Sequence, residues 1–138
     1  MAKKIADVMT KNPQTVGRDA TVTDAARIMR DADTGVVPIV DGDQLVATIT
    51  DRDVAVRVVA DGADVHAAKA FDAASKQLVT VDPQQDLDEA LRLMAEHQVR
   101  RLPVCEEDGR LVGIVAQADV ARHANDARTG QIVEQISK

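Results

Sequence analysis

The chain is written twice. Placing Thr15-Val16 over Thr80-Val81 brings Asp24-Ala25-Ala26-Arg27-Ile28-Met29 onto Glu89-Ala90-Leu91-Arg92-Leu93-Met94, and Pro38-Ile39-Val40 onto Pro103-Val104-Cys105. One extra residue in a turn of the second copy shifts the register. Leu45-Val46 then falls on Leu111-Val112, and Asp53-Val54-Ala55 on Asp119-Val120-Ala121. Such a repeat dictates architecture, because a unit that cannot bury its hydrophobic face alone must pack on its neighbour. Each copy has about 55 to 60 residues and alone would bury only about 60% of its unfolded surface. The 138 residues therefore predict one module of two halves, not two independent domains.

The copies begin at about Ile5 and Ala70. The organisation expected is a first motif over residues 1–62, a second over 63–123 with an Ala-rich, partly helical connector at 63–74, and a polar tail at 124–138. That tail reads as a short helix packing on the module or on a partner. Thr10–Pro13 and Ser75–Leu78 read as loops leading into short strands at Thr15-Val16 and Thr80-Val81. Thr21 with Asp24, and Asp86 with Glu89, have the spacing of capping boxes. The helices that follow place Ala25, Ile28, Met29 and Ala32 in one copy, and Leu87, Ala90, Leu91 and Met94 in the other, on core-facing stripes. Two strands per copy come next, turning through Asp41-Gly42-Asp43 and Glu106-Glu107-Asp108-Gly109. A proline in each first strand, Pro38 and Pro103, predicts an edge or a position where no ladder donor is needed. A last helix begins near Asp53 and near Asp119. Each copy thus reads β-α-β-β-α, an α/β (α+β) arrangement.

Composition narrows the function classes. Hydrophobic content is 45% and charged content 29%, a globular profile. A single Phe with no Trp or Tyr leaves a Val, Ile, Leu, Ala and Met core and no stacking platform for single-stranded nucleic acid. A net charge of −6 without a long basic run argues against a phosphate-backbone footprint. No apolar run approaches the ~20 residues of a membrane span, and no signal-peptide pattern follows Met1. The one cysteine, Cys105, excludes an intrachain disulfide and suits a reducing interior, so the cytoplasm is the expected location. His66, His97 and His123 lack metal-ligand spacing, and no nucleophile elbow, Walker or Rossmann loop is present. No catalytic set, metal or required cofactor is expected.

One stretch carries ligand chemistry. Thr50-Asp51-Arg52-Asp53 lies where a strand ends and a helix begins, a junction that points free N–H groups and the positive helix end outward and suits a phosphate. A carboxylate one turn in can accept two ribose hydroxyls. The plainer reading is a capping box, with Thr50 as cap and Asp53 as its acid. The second copy, Ala116-Gln117-Ala118-Asp119, weighs against that reading. Ala116 cannot cap, yet Asp119 is present.

This pattern resembles the cystathionine-β-synthase (CBS) domain over about residues 5–123. The resemblance rests on Ala47-Thr48-Ile49-Thr50-Asp51-Arg52-Asp53 and Gly113-Ile114-Val115-Ala116-Gln117-Ala118-Asp119, with Val8–Pro13 and His97–Val104 also family-like. In layout the chain is similar to small stand-alone bacterial CBS-pair proteins of the hypoxic-response type. The resemblance implies a Bateman module: two motifs related by a pseudo-twofold, with two clefts that bind adenosine-containing ligands. Carried over, Asp53 and Asp119 hold ribose hydroxyls and Thr50 supplies a neighbouring hydroxyl. Backbone near Gly35-Val36 and Val99-Arg100 flanks the base, as do the lead-in residues Asn12 and Gln77. Arg100 or Arg101 pairs with phosphates, unless both are solvated or in salt bridges. Two departures stand out. The family Gly is Ala47 in copy one, which would crowd a ligand, and the family Thr/Ser is Ala116 in copy two. The two clefts should therefore differ.

The function expected is regulatory sensing of AMP, ADP or ATP, or of NAD or S-adenosylmethionine, by a homodimer that signals to an effector protein. The alternative is a structural interaction module with degenerate, ligand-free clefts.

Overall fold

The computed structural model describes residues 3–123. The expected tail at 124–138 lies outside the described residues. Among the described residues the elements are α1 (Ile5–Val8), β1 (Thr10–Lys11), β2 (Val16–Gly17), α2 (Val22–Asp31), β3 (Val36–Asp41), β4 (Gln44–Thr50), α3 (Asp51–Asp53), a π-helical turn π1 (Val54–Val59), α4 (Ala70–Ala73), α5 (Leu87–His97), β5 (Arg101–Cys105), β6 (Leu111–Ala116) and α6 (Gln117–His123). No described helix is long and apolar enough to cross a membrane.

The chain forms two compact units that do not follow chain order. One comprises Gln14–Leu78, and the other, among the described residues, 3–13 together with 79–123. The short segment leading into each copy is therefore built into the other copy's core. In the Gln14–Leu78 unit, β2 lies parallel to β3 and β3 antiparallel to β4. Strand β4 alternates cleanly, burying Leu45, Ala47 and Ile49, as a sheet with one core face must. These join Val16, Val22, Ala25, Val37, Ile39 and Val58 in one cluster, closed by Ala70, Ala73 and Ala74 from the second copy's lead-in. Ser75 exchanges two backbone hydrogen bonds with Thr48, 2.9 and 3.0 Å.

The other unit repeats the scheme with the copies exchanged. Strand β1 pairs antiparallel with β6, and β6 with β5. Ile5 and Val8 enter a cluster with Leu87, Ala90, Leu91, Met94, Leu102, Val104, Val115 and Val120. Ile5 and Ala6 donate backbone hydrogen bonds to Gln85 and Pro83.

The other expected strands and helices form, with three corrections. Thr80-Val81 is no strand, since Val81 makes only a single parallel bridge to Val104. Thr21 caps α2 in a full capping box with Asp24, but Asp86 does not repeat this and makes no side-chain cap. Its Oδ1 accepts instead from Lys4 Nζ at 3.0 Å, and Glu89 is taken by Arg92. That hydrogen bond from Arg92 holds the Glu89 carboxyl below its ordinary range. Ala32 ends α2 as its C-cap and is exposed, and Ile28 and Met29 are only half-buried, so that stripe narrows along the helix. Of the two placements expected for the prolines, Pro38 takes the second, for it stands in the middle strand of its sheet and not at an edge. Its neighbour β2 engages only Ile39 and Val40. At Pro103 the carbonyl accepts from Val81 while Cys105 donates back, so in both copies no ladder donor is lost. Gly42 and Gly109 take the positive φ their turns require, 66° and 90°. Cys105 is buried, and burial pushes its thiol up to about 11, as expected of a packed rather than reactive cysteine.

Candidate functional site

Each copy aims its last helix by the same local device. After α2 and α5 the chain turns through Asp33 or Gln98, both left-handed at φ 51° and 54°. Thr34 and Val99 then donate back to Met29 and Met94 at 3.0 Å. The next carbonyl, Gly35 or Arg100, accepts from the first residue of the last helix: Asp51 N–H at 3.0 Å or Gln117 N–H at 2.8 Å. Val36 pairs with Thr50, and Arg101 with Ala116. The start of the first long strand and the start of the final helix are thus pinned side by side in both units.

In the Gln14–Leu78 unit this gathers Gly35, Val36, Thr50 and Asp53. Thr50 N–H donates to Asp53 Oδ2 at 2.9 Å, and Asp53 N–H donates to Thr50 Oγ1 at 3.1 Å. The capping box is therefore real. Asp53 is 14% exposed, and its Oδ1 lies 3.7 Å from Arg57 Nε. Gly35 is small for a local reason: a Cβ there would stand 3.2 Å from Asp51 Oδ2.

In the other unit Val99, Arg100, Arg101 and Asp119 come together. Ala116 offers no side-chain oxygen, and Asp119 is instead paired with Arg122. Gln117, in the place of Asp51, is buried. Among the described residues neither Arg100 nor Arg101 has an ion-pair partner, and Arg100 is exposed.

The lead-in residues are not gathered with their own copies. Asn12 belongs to the unit of Asp119, and Gln77 to the unit of Asp53. The register Thr10↔Ile114, Lys11↔Gly113 carries Asn12 toward the beginning of β6, away from the helix start. The bridge Thr48↔Ser75 does the same for Gln77. Ala47 is fully buried in the core cluster, so its methyl is a packing group. Sequence reasoning missed Arg57 and Arg122. The signal was present as an arginine shortly after each acid, in Asp53-Val54-Ala55-Val56-Arg57 and Asp119-Val120-Ala121-Arg122. Among the described residues no three His, Cys, Asp or Glu side chains are grouped to hold a metal ion.

The CBS domain matches the chain twice, at residues 5–60 and 69–126. Hypoxic response protein 1 of Mycobacterium tuberculosis is 42% identical over 131 residues, covering 94% of this chain and 91% of that protein. The crystal structure of Hypoxic Response Protein I with two coordinated zinc ions is similar at a TM-score of 0.82 and 42% identity, covering 89% of this chain and all of that one. CBSX2 in complex with AMP matches at TM-score 0.75 and 26% identity, over 88% of this chain and 95% of that one. The CBS pair of protein MJ0100, in complex with 5′-methylthioadenosine and S-adenosyl-L-methionine, matches at 0.77 and 25%, over 89% and 96%.

Proposed function

This chain belongs to the CBS-domain family, and on that premise we propose that it is a regulatory module, not an enzyme, that senses an adenosine-containing ligand at its helix-start acids. One observation carries the reading. A largely buried carboxylate, Asp53 or Asp119, recurs at the start of the last helix in both units, pinned beside the turn that opens the first long strand. The ligands of the two solved relatives, AMP in one and 5′-methylthioadenosine with S-adenosyl-L-methionine in the other, share an adenosine whose ribose keeps both hydroxyls. A largely buried carboxylate suits that diol. No further cofactor is needed, because the ligand is itself the signal. Arg100 and Arg101 are the groups for a phosphate. Thr50 is present at one site and replaced by Ala116 at the other, which makes the two sites unequal.

Calorimetric titration with AMP, ADP, ATP, NAD and S-adenosylmethionine tests this. At least one ligand should bind, and Asp53→Ala and Asp119→Ala should each weaken one site by about tenfold or more, the loss of a charge-assisted hydrogen bond. A bound ligand at 100 times its Kd should also stabilise the fold by about 2.7 kcal/mol. Absence of heat with every ligand would favour the second reading, an interaction module with degenerate sites. That reading is supported by partners the acids already have within the chain, Thr50 and Arg57 for Asp53 and Arg122 for Asp119.

Ligand binding acts on a population of states, and the state read out is proposed to be association: of two copies, and of the dimer with an effector. Val56 and Val59 stand 49% and 60% exposed on π1, and Ile28 and Met29 are half-buried on α2, apolar surface that a second copy would cover. Val59→Asp is expected to convert a dimer to a monomer in light scattering coupled to gel filtration. A wild-type monomer, or a variant that stays dimeric, would remove this face from consideration.

A further inference from the structure

The two acids share a feature that neither capping nor the repeat explains. Each has an arginine from the following turn on its Oδ1, Arg57 on Asp53 and Arg122 on Asp119. The spacing is not the same: four residues in the first copy, three in the second. Both spacings place two side chains on the same face of a helix, within reach of one another. The first copy also continues past its acid as the π-helical turn π1. There Ala60 N–H donates to Ala55 O at 2.9 Å and Ala63 N–H to Val58 O at 3.1 Å, both five residues back. Such turns are rare and cluster at functional positions. The second copy stays α-helical from Gln117 to His123. Two different helix geometries thus deliver one arginine to one acid.

Stability of the fold does not account for this. The guanidinium side chains are 56% and 69% exposed, and exposed ion pairs contribute about 0–1 kcal/mol. A carboxylate offers about four lone-pair positions. At Asp53 the Thr50 N–H takes one, and Arg57, at 3.7 Å an ion-pair contact rather than a hydrogen bond, stands beside Oδ1, leaving about three, enough for a vicinal diol. We propose that Arg57 and Arg122 are the positioning residues of the two acids, each standing with its charge beside one carboxylate oxygen so that the other lone pairs are presented to the ribose hydroxyls. This inference rests on the ribose reading of Asp53 and Asp119.

The test isolates one site by working in an Asp119→Ala background and titrating adenosine, AMP and 2′-deoxyadenosine. Arg57→Gln should weaken adenosine and AMP by the same factor, about tenfold, and leave 2′-deoxyadenosine unchanged, since it lacks a hydroxyl the acid accepts. Arg57→Lys should recover part of the loss. A loss confined to AMP would make Arg57 a phosphate contact. An equal loss for 2′-deoxyadenosine would make it a general structural group, and no loss would make it a bystander; each overturns the inference. If Asp53→Ala abolishes binding while Arg57→Gln does not, only the inference fails. If the wild-type protein binds no adenosine ligand, the ribose reading fails and takes the inference with it.

Discussion

Ile5→Ala should destabilise the protein by about 2–5 kcal/mol, although it is the fifth residue of the sequence. Residues near a chain end usually fray, and substitutions there usually cost less than about 0.5 kcal/mol. Ile5 is different because it is completely buried, in a cluster with Leu87, Leu91 and Met94 of the second copy. The backbone around it is tied down as well: Ile5 N–H to Gln85 O at 2.9 Å and Ala6 N–H to Pro83 O at 2.8 Å. The surrounding backbone is therefore held open, and the cavity left by alanine cannot simply collapse. Lys3→Ala, an exposed position two residues earlier, is the control and should be nearly neutral. Urea unfolding of both variants decides the matter. A cost below about 0.5 kcal/mol for Ile5→Ala would mean that α1 is not part of that core.

Gly113→Ala should be destabilising by about 1–3 kcal/mol, against the usual trend. Replacing a glycine in ordinary strand backbone normally stabilises by about 0.4–1 kcal/mol through the unfolded chain, and Gly113 does not have a positive φ. Here the added Cβ would stand 2.7 Å from Met9 Sδ and 2.8 Å from Thr10 O. The thioether can swing away, but the carbonyl belongs to β1, which is held in register against β6. Met9→Ala in the same protein should therefore fail to rescue the variant. A neutral or stabilising Gly113→Ala would show that β1 can shift without loss. The other copy shows the consequence of a side chain at this place. Ala47 occupies it, and the lead-in segment there forms a single bridge, Thr48↔Ser75, where β1 forms two paired residues.

Much of this architecture was legible in the sequence because it is local. Thr21 with Asp24 and Thr50 with Asp53 are reciprocal caps written three residues apart. Leu87, Ala90, Leu91 and Met94 share one helix face and are all buried. Gly42 and Gly109 mark the turns. What failed locally failed for a long-range reason. Asp86 has the spacing of a cap but is drawn to Lys4, 82 residues away in the chain. Ala47 looks like an obstruction to a ligand and is a core methyl. Of the expected site residues, Gly35, Val36, Thr50 and Asp53 converge in one unit and Val99, Arg100, Arg101 and Asp119 in the other, because a strand pair and one backbone hydrogen bond join them. Asn12 and Gln77 could not be placed from the repeat, since each lead-in segment crosses to the other copy.

The sequence by itself determined the family, the α-β-β-α order common to both copies and the two helix-start acids, because periodicity, capping and turn chemistry act between residues a few positions apart. Only the tertiary structure decided which segments share a core and which side chains hold the acids. Those choices depend on what a buried face finds opposite it. Ile5 meets the second copy's helix and Ala70 the first copy's sheet.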